Sequence, residues 1–208
     1  MKQEEKTKRT RERILEAALT EFGTKRYEVA SISSICSENH LSKGLLYHNF
    51  GSKDELYLYC VRYVYDRTLE YLKSCSNMAR AQNPVVQMLK DRQSFFHENP
   101  LMGNIFFEAL LTPPPKLASD VQEIRMEYET FANQCFAQML EETPLRPGIT
   151  AEDARTYFFL VQEAFNSRRS GTARGAGEGA GIEEWEEHAL RMLDLILYGI
   201  ASAEEKKA

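Results

Sequence analysis

Cysteine and histidine are scarce in this chain, four of each, and they form neither a Cys-x-x-Cys pair nor a Cys/His cluster at metal spacing. Cys36, Cys60, Cys75 and Cys135 therefore read as separate, reduced and mostly buried thiols, with no structural zinc site expected; a redox-sensing role for Cys60 or Cys75 is the alternative use. Long apolar runs are missing as well. None approaches the roughly 20 residues needed to cross a bilayer, and no signal peptide leads the chain, so a cytoplasmic location is expected. Gly-x-Ser-x-Gly and His-Glu-x-x-His are absent, and His40, His48, His97 and His188 lie scattered, which leaves no catalytic residue or cofactor to name and argues against an enzyme. There is no alternating strand pattern with hairpin turns, so the fold class is all-α. Glycine is sparse except in Ser170–Gly181, which holds 5 of the 11. Its Gly-x-Gly-x-Gly spacing follows no strand, so it reads as a flexible linker rather than a phosphate loop, or else as a loop that orders when a ligand or partner binds.

What is present begins with three short helices. The first is expected from Thr10, whose hydroxyl can cap free amides, with Ile14, Leu15, Ala18 and Phe22 on one face. A second begins after Ser31 and turns Ile32, Ile35 and Cys36 inward. Asn39-His40-Leu41 is long enough only for a tight turn. Ser42 then caps a third helix that buries Leu46 and Phe50. Two helices joined by such a turn, the second with a polar outer face, make a helix-turn-helix. That outer face presents Ser42, Lys43, Gly44, Leu45, Tyr47 and His48. Hydroxyls and Lys reach phosphates or base edges, Leu45 suits a thymine methyl, and Gly44 lets backbone approach DNA closely. Ser52 caps a fourth helix, so that its amides and Lys53 face a phosphate.

Charge supports this reading only when it is counted by segment. The whole chain carries −5, but residues 1–53 hold 10 Lys and Arg against 7 Asp and Glu, and the remainder 16 against 24. Positive charge gathers before and within the first helix, at Lys2, Lys6, Lys8, Arg9, Arg11 and Arg13. This is an arm that can follow the DNA backbone or enter the minor groove.

Over Thr10–Leu56 the chain resembles the N-terminal domain of TetR-family transcriptional regulators. The resemblance is carried by Ser42-Lys43-Gly44-Leu45-Leu46-Tyr47-His48-Asn49-Phe50 followed by Ser52-Lys53-Asp54-Glu55-Leu56. The chain departs from the family pattern in three places. Arg26 stands where the family usually has Gly, Asn39-His40-Leu41 replaces Ala-Gly-Val, and Ala30 replaces a common Thr. Asn and His accept positive φ better than most residues, which preserves the turn, and the loss at Ala30 shifts a phosphate contact to Ser31 or Ser33. Arg11, Ser31, Ser33, Ser42, Lys43, Gly44, Leu45, Tyr47, His48 and Lys53 are thus the candidate DNA contacts.

Beyond Leu56 the helical pattern continues: one long fourth helix, a helix opened by Pro84 and closed at Asn99-Pro100, then Leu101–Leu111 stopped by Thr112-Pro113-Pro114-Pro115. A long amphipathic helix follows from about Leu117 to Leu140, and two more cover Ala151–Asn166 and Ile182–Ala201. The expected domains are 1–53, the reading head with its basic arm, and 54–208. Large apolar residues at helical spacing normally fill a core. The family resemblance implies in addition a ligand pocket among these helices, for which Phe95, Met102, Phe106, Phe107, Glu108, Glu127, Tyr128, Phe131 and Phe158 are the candidates. The last two helices carry apolar stripes too wide for one neighbour to cover, which makes Phe165, Leu190, Leu193, Ile196 and Leu197 a candidate dimer interface. By resemblance these helices form a four-helix bundle that sets two reading heads at half-sites about one helical turn apart or a multiple of it. The partners expected are an operator in double-stranded DNA, a largely apolar small molecule and a second copy of the chain, and no membrane. The expected function is that of a ligand-responsive regulator, a repressor; a protein-docking adaptor on the same fold is the alternative.

Overall fold

The computed structural model describes residues 2–75, 81, 83–158, 160, 191 and 195. The expected dimer residues Phe165, Leu190, Leu193, Ile196 and Leu197, and the glycine-rich stretch 170–181, lie outside them. Seven α-helices are described: α1 (Lys2–Thr24), α2 (Ile32–Glu38), α3 (Lys43–Asn49), α4 (Lys53–Ser74), α5 (Pro84–Glu98), α6 (Pro100–Leu111) and α7 (Ala118–Glu142). Residues 151–158 are helical again. No β-strand element occurs among the described residues.

One helix start differs from the sequence reading. Helix α1 does not begin at Thr10 but runs back to Lys2, through the basic arm. The physical reason is local. The stretch Lys2–Arg9 contains no Pro or Gly, is rich in Lys, Glu and Gln, and is bridged by Arg9 and Glu5 at 3.1 Å, a pair spaced i, i+4. The other starts follow the expected caps. Ser31 Oγ accepts from Ser34 N at 3.0 Å, Ser42 Oγ from Leu45 N at 3.1 Å and Ser52 Oγ from Glu55 N at 3.1 Å. Asn83 Oδ1 does the same for Val86 N ahead of α5, at 3.0 Å. Pro100 occupies the first turn of α6, where a missing N–H costs nothing, and the prolines after Thr112 prevent its continuation.

The helices gather into two compact units, one of Met1–Leu69 with Phe96–Met126, the other of Glu70–Phe95 with Glu127–Ala208. In the first, Ile14 and Ala18 of α1, Leu46 of α3, Leu56, Tyr57, Cys60 and Val64 of α4, Ile105, Phe106 and Ala109 of α6, and Val121 of α7 are fully buried. Tyr65 stacks on Phe106 at 4.5 Å between ring centroids, and Phe106 meets Phe107 edge-on at 5.3 Å. In the second, Leu72, Val85, Met88, Phe95, Tyr128, Phe136 and Met139 form the core. Phe136 stacks on Phe158 at 3.9 Å, Tyr71 packs on Phe95 at 4.9 Å, and the buried Arg92 donates to the Tyr128 hydroxyl at 2.9 Å. Helices α4, α5 and α7 each supply residues to both units.

Candidate nucleic-acid interface

The surface that could read DNA is built from α2, α3 and the turn between them. His40 holds the turn with φ 52°, the left-handed conformation that the sequence leaves to Asn39 or His40, and Leu41 N bonds to Cys36 O at 2.9 Å to close it. Behind α3, Leu46 and Phe50 are buried to within 1 %. On the opposite side Ser42, Lys43, Gly44, Tyr47 and His48 are exposed, Tyr47 with half its surface, while Leu45 is half-buried. Open space surrounds Gly44 where a Cβ would stand. Seven residues of helix are about 10 Å long, a length the major groove admits end-on or along its floor. The exposed set brings two hydroxyl types, an ammonium and an imidazole to one short face, which is a set of donors and acceptors for phosphates and base edges.

The remaining expected contacts, Ser33 apart, have other partners. Ser33 is exposed on α2. Ser31 is half-buried, its hydroxyl caps α2, and its N–H donates to Glu21 Oε1 at 2.9 Å. Glu21 is itself buried and accepts the Lys25 ammonium at 2.7 Å, the bond that holds the Lys25 pKa above its usual value. Arg11 does not extend outward with the arm. Its guanidinium lies over Phe50 at 4.8 Å and Tyr59 at 5.4 Å, with Nε buried and lacking an acceptor, at the edge of a cleft of about 240 Å³ that Arg62, Asp120 and Ile124 also line. Lys53 is turned inward too. Its ammonium sits 4.3 Å above the Tyr27 ring and donates to the Tyr27 carbonyl, and burial lowers its pKa.

Tyr27 is the residue that sequence reasoning passed over. It lies in the connector between α1 and α2, buried, and every polar group it owns is held by another element. The hydroxyl donates to Asp54 of α4, the carbonyl accepts from Lys53, and the N–H donates to Glu108 Oε1 of α6 at 2.9 Å. Its ring meets Tyr57 edge-on at 4.9 Å. Lys116 closes the cluster by bridging Asp54 at 2.7 Å; with the Tyr27 hydroxyl it holds the Asp54 carboxyl below its usual range. Burial, followed by the bond to Asp54, raises the Tyr27 phenol.

Two further contacts fasten α6 to α1. Asn104 Nδ2 donates to Gly23 O at 2.8 Å, and a Cβ added at Gly23 would meet Leu101 Cβ at 2.8 Å. Asn104 and Glu108 are four residues apart on an otherwise apolar helix, so they share one face. That spacing was the available signal. The sequence reading instead assigned Glu108 to a ligand.

The other ligand candidates fall in both compact units. Met102, Phe106, Phe107 and Glu108 lie in the first; Phe95, Glu127, Tyr128, Phe131 and Phe158 lie in the second. Glu127 is exposed and pairs with Lys73 at 3.0 Å, whereas Phe131 and Phe158 are half-buried. The four cysteines are free thiols. Burial raises the pKa of each, Cys135 to about 11 and Cys60 further, which makes Cys60 a poor nucleophile and a poor redox sensor. No group of three His, Cys, Asp or Glu among the described residues is placed to hold a metal ion, and no helix there is long and apolar enough to cross a membrane.

Comparison with known proteins agrees with this geometry. Residues 14–60 match the model of bacterial regulatory proteins of the tetR family. No curated protein sequence matches the chain. Among solved structures, a TetR family transcriptional regulator from Chloroflexus aurantiacus J-10-FL is similar with TM-score 0.58 and 21% identity, covering 94% of each chain. The fatty acid degradation regulator FadR from Bacillus halodurans has TM-score 0.62 at 13% identity, over 89% of this chain and 93% of that one. FadR from Bacillus subtilis, solved in complex with stearoyl-CoA, has TM-score 0.60 at 14% identity, over 90% and 98%. At these identities the likeness is one of fold.

Proposed function

We propose, from the premise that residues 14–60 form a DNA-binding domain of the tetR family, that the chain is a homodimeric transcription regulator, a repressor that leaves its operator when a small molecule binds. The observation that carries the reading is the short face of α3, where Ser42, Lys43, Gly44, Tyr47 and His48 are exposed while Leu46 and Phe50 anchor the helix from behind. Ser31, Ser33, Leu45, Lys53 and Arg11 complete the proposed contact set. For Lys53 and Arg11, contact with a phosphate exchanges an existing partner, the Tyr27 carbonyl or the Phe50 and Tyr59 rings, for a new one.

The reading head is residues 1–53 and the effector and dimer domain 54–208. The ligand is largely apolar. The aromatic residues Phe95, Phe131 and Phe158 support that choice, as does the acyl chain of stearoyl-CoA in a protein of the same fold. Leu193, Ile196 and Leu197 join two copies so that both heads meet consecutive half-sites. Ligand binding then shifts the population between states that fit both half-sites and states that do not. A cytoplasmic location follows from that role.

Titration of the protein against duplexes from its own upstream region, at two salt concentrations, tests the central claim. Binding should weaken steeply with salt. Binding that is absent, or that does not respond to salt, removes it.

A further inference from the structure

We infer that Glu108 is a proton-controlled pin: protonation tightens the hold of α6 on the connector that carries the reading head, and ionisation loosens it, so that the head's grip on DNA varies with pH. The DNA part rests on the function proposed above. The pin itself does not.

The geometry is a single carboxyl inserted between three elements. Glu108 projects from α6 and accepts from the Tyr27 N–H of the connector at 2.9 Å and from the Tyr57 hydroxyl of α4 at 3.3 Å. The same helix is fixed one turn earlier by Asn104 at the Gly23 carbonyl and, near its start, by Leu101 against Gly23. Tyr57 is completely buried and packed edge-on against Phe22 and Tyr27, so it cannot follow the carboxylate outward. The charged and titratable groups facing this point are Arg26, Tyr27 and Glu28 of the connector and Tyr57 of α4; Lys53, Asp54 and Lys116 gather around Tyr27 itself. Arg26 favours the charged form and Glu28 opposes it. The two donors to Glu108 are neutral groups, a backbone amide and a phenol.

Burial pushes the Glu108 carboxyl up to about 7, against an ordinary value of 4.5. Releasing α6 from the connector would return it to water and to that lower value. A site that binds a proton more tightly in the docked state is favoured by protons, so docking is strongest in acid and weakens as pH rises through 7. Between pH 6 and pH 8 the docking equilibrium should fall by about tenfold, the change expected when one proton held only in the docked state titrates at about 7.

The Tyr27 amide reports this directly, because it donates to the carboxyl in question. Hydrogen exchange of that amide in the full chain, corrected for the intrinsic pH dependence of exchange, should lose about tenfold protection between pH 6 and pH 8. Glu108→Gln, which keeps the acceptor but cannot ionise, should abolish the change. Tyr57→Phe keeps the carboxyl and removes a donor to its charged form, so the midpoint should move to higher pH, which provides a second test if the Gln variant does not fold. DNA affinity at fixed ionic strength should fall from pH 6 to pH 8 more steeply in the wild type than in Glu108→Gln. Identical protection curves for wild type and Glu108→Gln overturn the pin. A tenfold change in protection without DNA binding at either pH supports the pin and rejects the DNA reading instead.

Discussion

At the scale of single residues, the exposed face of α3 and the polar cluster around Tyr27 predict opposite kinds of damage. Replacing Tyr47 or Lys43 by Ala removes exposed side chains, so thermal stability should stay within about 0.5 kcal/mol of wild type while DNA affinity or sequence preference changes. Parallel thermal melts and DNA titrations check both halves. Lys53→Ala removes an inward cation from the Tyr27 carbonyl and ring, and stability should drop, by roughly 1.5 to 3 kcal/mol, the range for a hydrogen bond with a charged group. If instead Lys53→Ala melts like the wild type and only flattens the salt dependence of binding, its DNA role outweighs its internal one. This division was half legible in the sequence. Ser42 and Ser52 announce themselves as caps, and Leu46 and Phe50 as core, because local spacing decides both. The inward turn of Lys53 was hidden, since it depends on where Tyr27, 26 residues away, comes to rest.

Between elements, the tie of α6 and α4 to the connector has two pH limits of opposite sign. Asp54 is held below its usual range by Lys116 and the Tyr27 hydroxyl, so its contribution is present above the unfolded carboxylate pKa and lost as pH falls through the depressed folded value. Glu108, raised to about 7, contributes stability that is complete below its unfolded value and is lost as pH rises through 7. Thermal unfolding across pH 3 to 9 should therefore show a maximum at about pH 4, above the ordinary Asp54 value of 3.8 and below the ordinary Glu108 value of 4.5, with stability declining from there towards pH 7. Asp54→Asn should flatten the acid limb and Glu108→Gln the neutral one; the Asp54 effect is the smaller, because its side chain is one-third exposed. The helices themselves were read well from periodicity and proline. The start of α1 was not, because a charged segment with no apolar stripe offers no pattern to count, only propensity and an Arg9–Glu5 pair. Nor was the role of Glu108 legible, since a polar residue on an apolar helix suits a ligand and a neighbouring backbone equally until the fold places one beside it.

For the whole molecule, the proposed assembly makes demands on residues beyond those described. If Leu193, Ile196 and Leu197 join two copies, Leu193→Glu forces a charge into an apolar contact twice over, by symmetry. Sedimentation should show a dimer for the wild type and a monomer for the variant, with DNA affinity sharply reduced and the head's helical signal retained. A wild-type monomer at micromolar concentration would remove this assembly. The effector reading has its own measurement, a thermal-shift screen of apolar acids, cations and neutral lipids, in which a true ligand raises the melting point by mass action. Uniform silence would turn attention to the protein-docking alternative.

The close approach of Gly23 and Leu101 has a consequence for transplantation. A head cut out as residues 1–53 and fused to a foreign effector domain would leave behind Leu101, Asn104 and Glu108, and with them the cover over Gly23 and the acceptor for the Tyr27 amide. A recipient whose helix offers larger groups at those places would collide with α1, because nothing larger than hydrogen fits at residue 23. The exchangeable cassette is accordingly discontinuous in sequence: α6 has to travel with the head, and chimeras that carry it should fold where those that omit it aggregate.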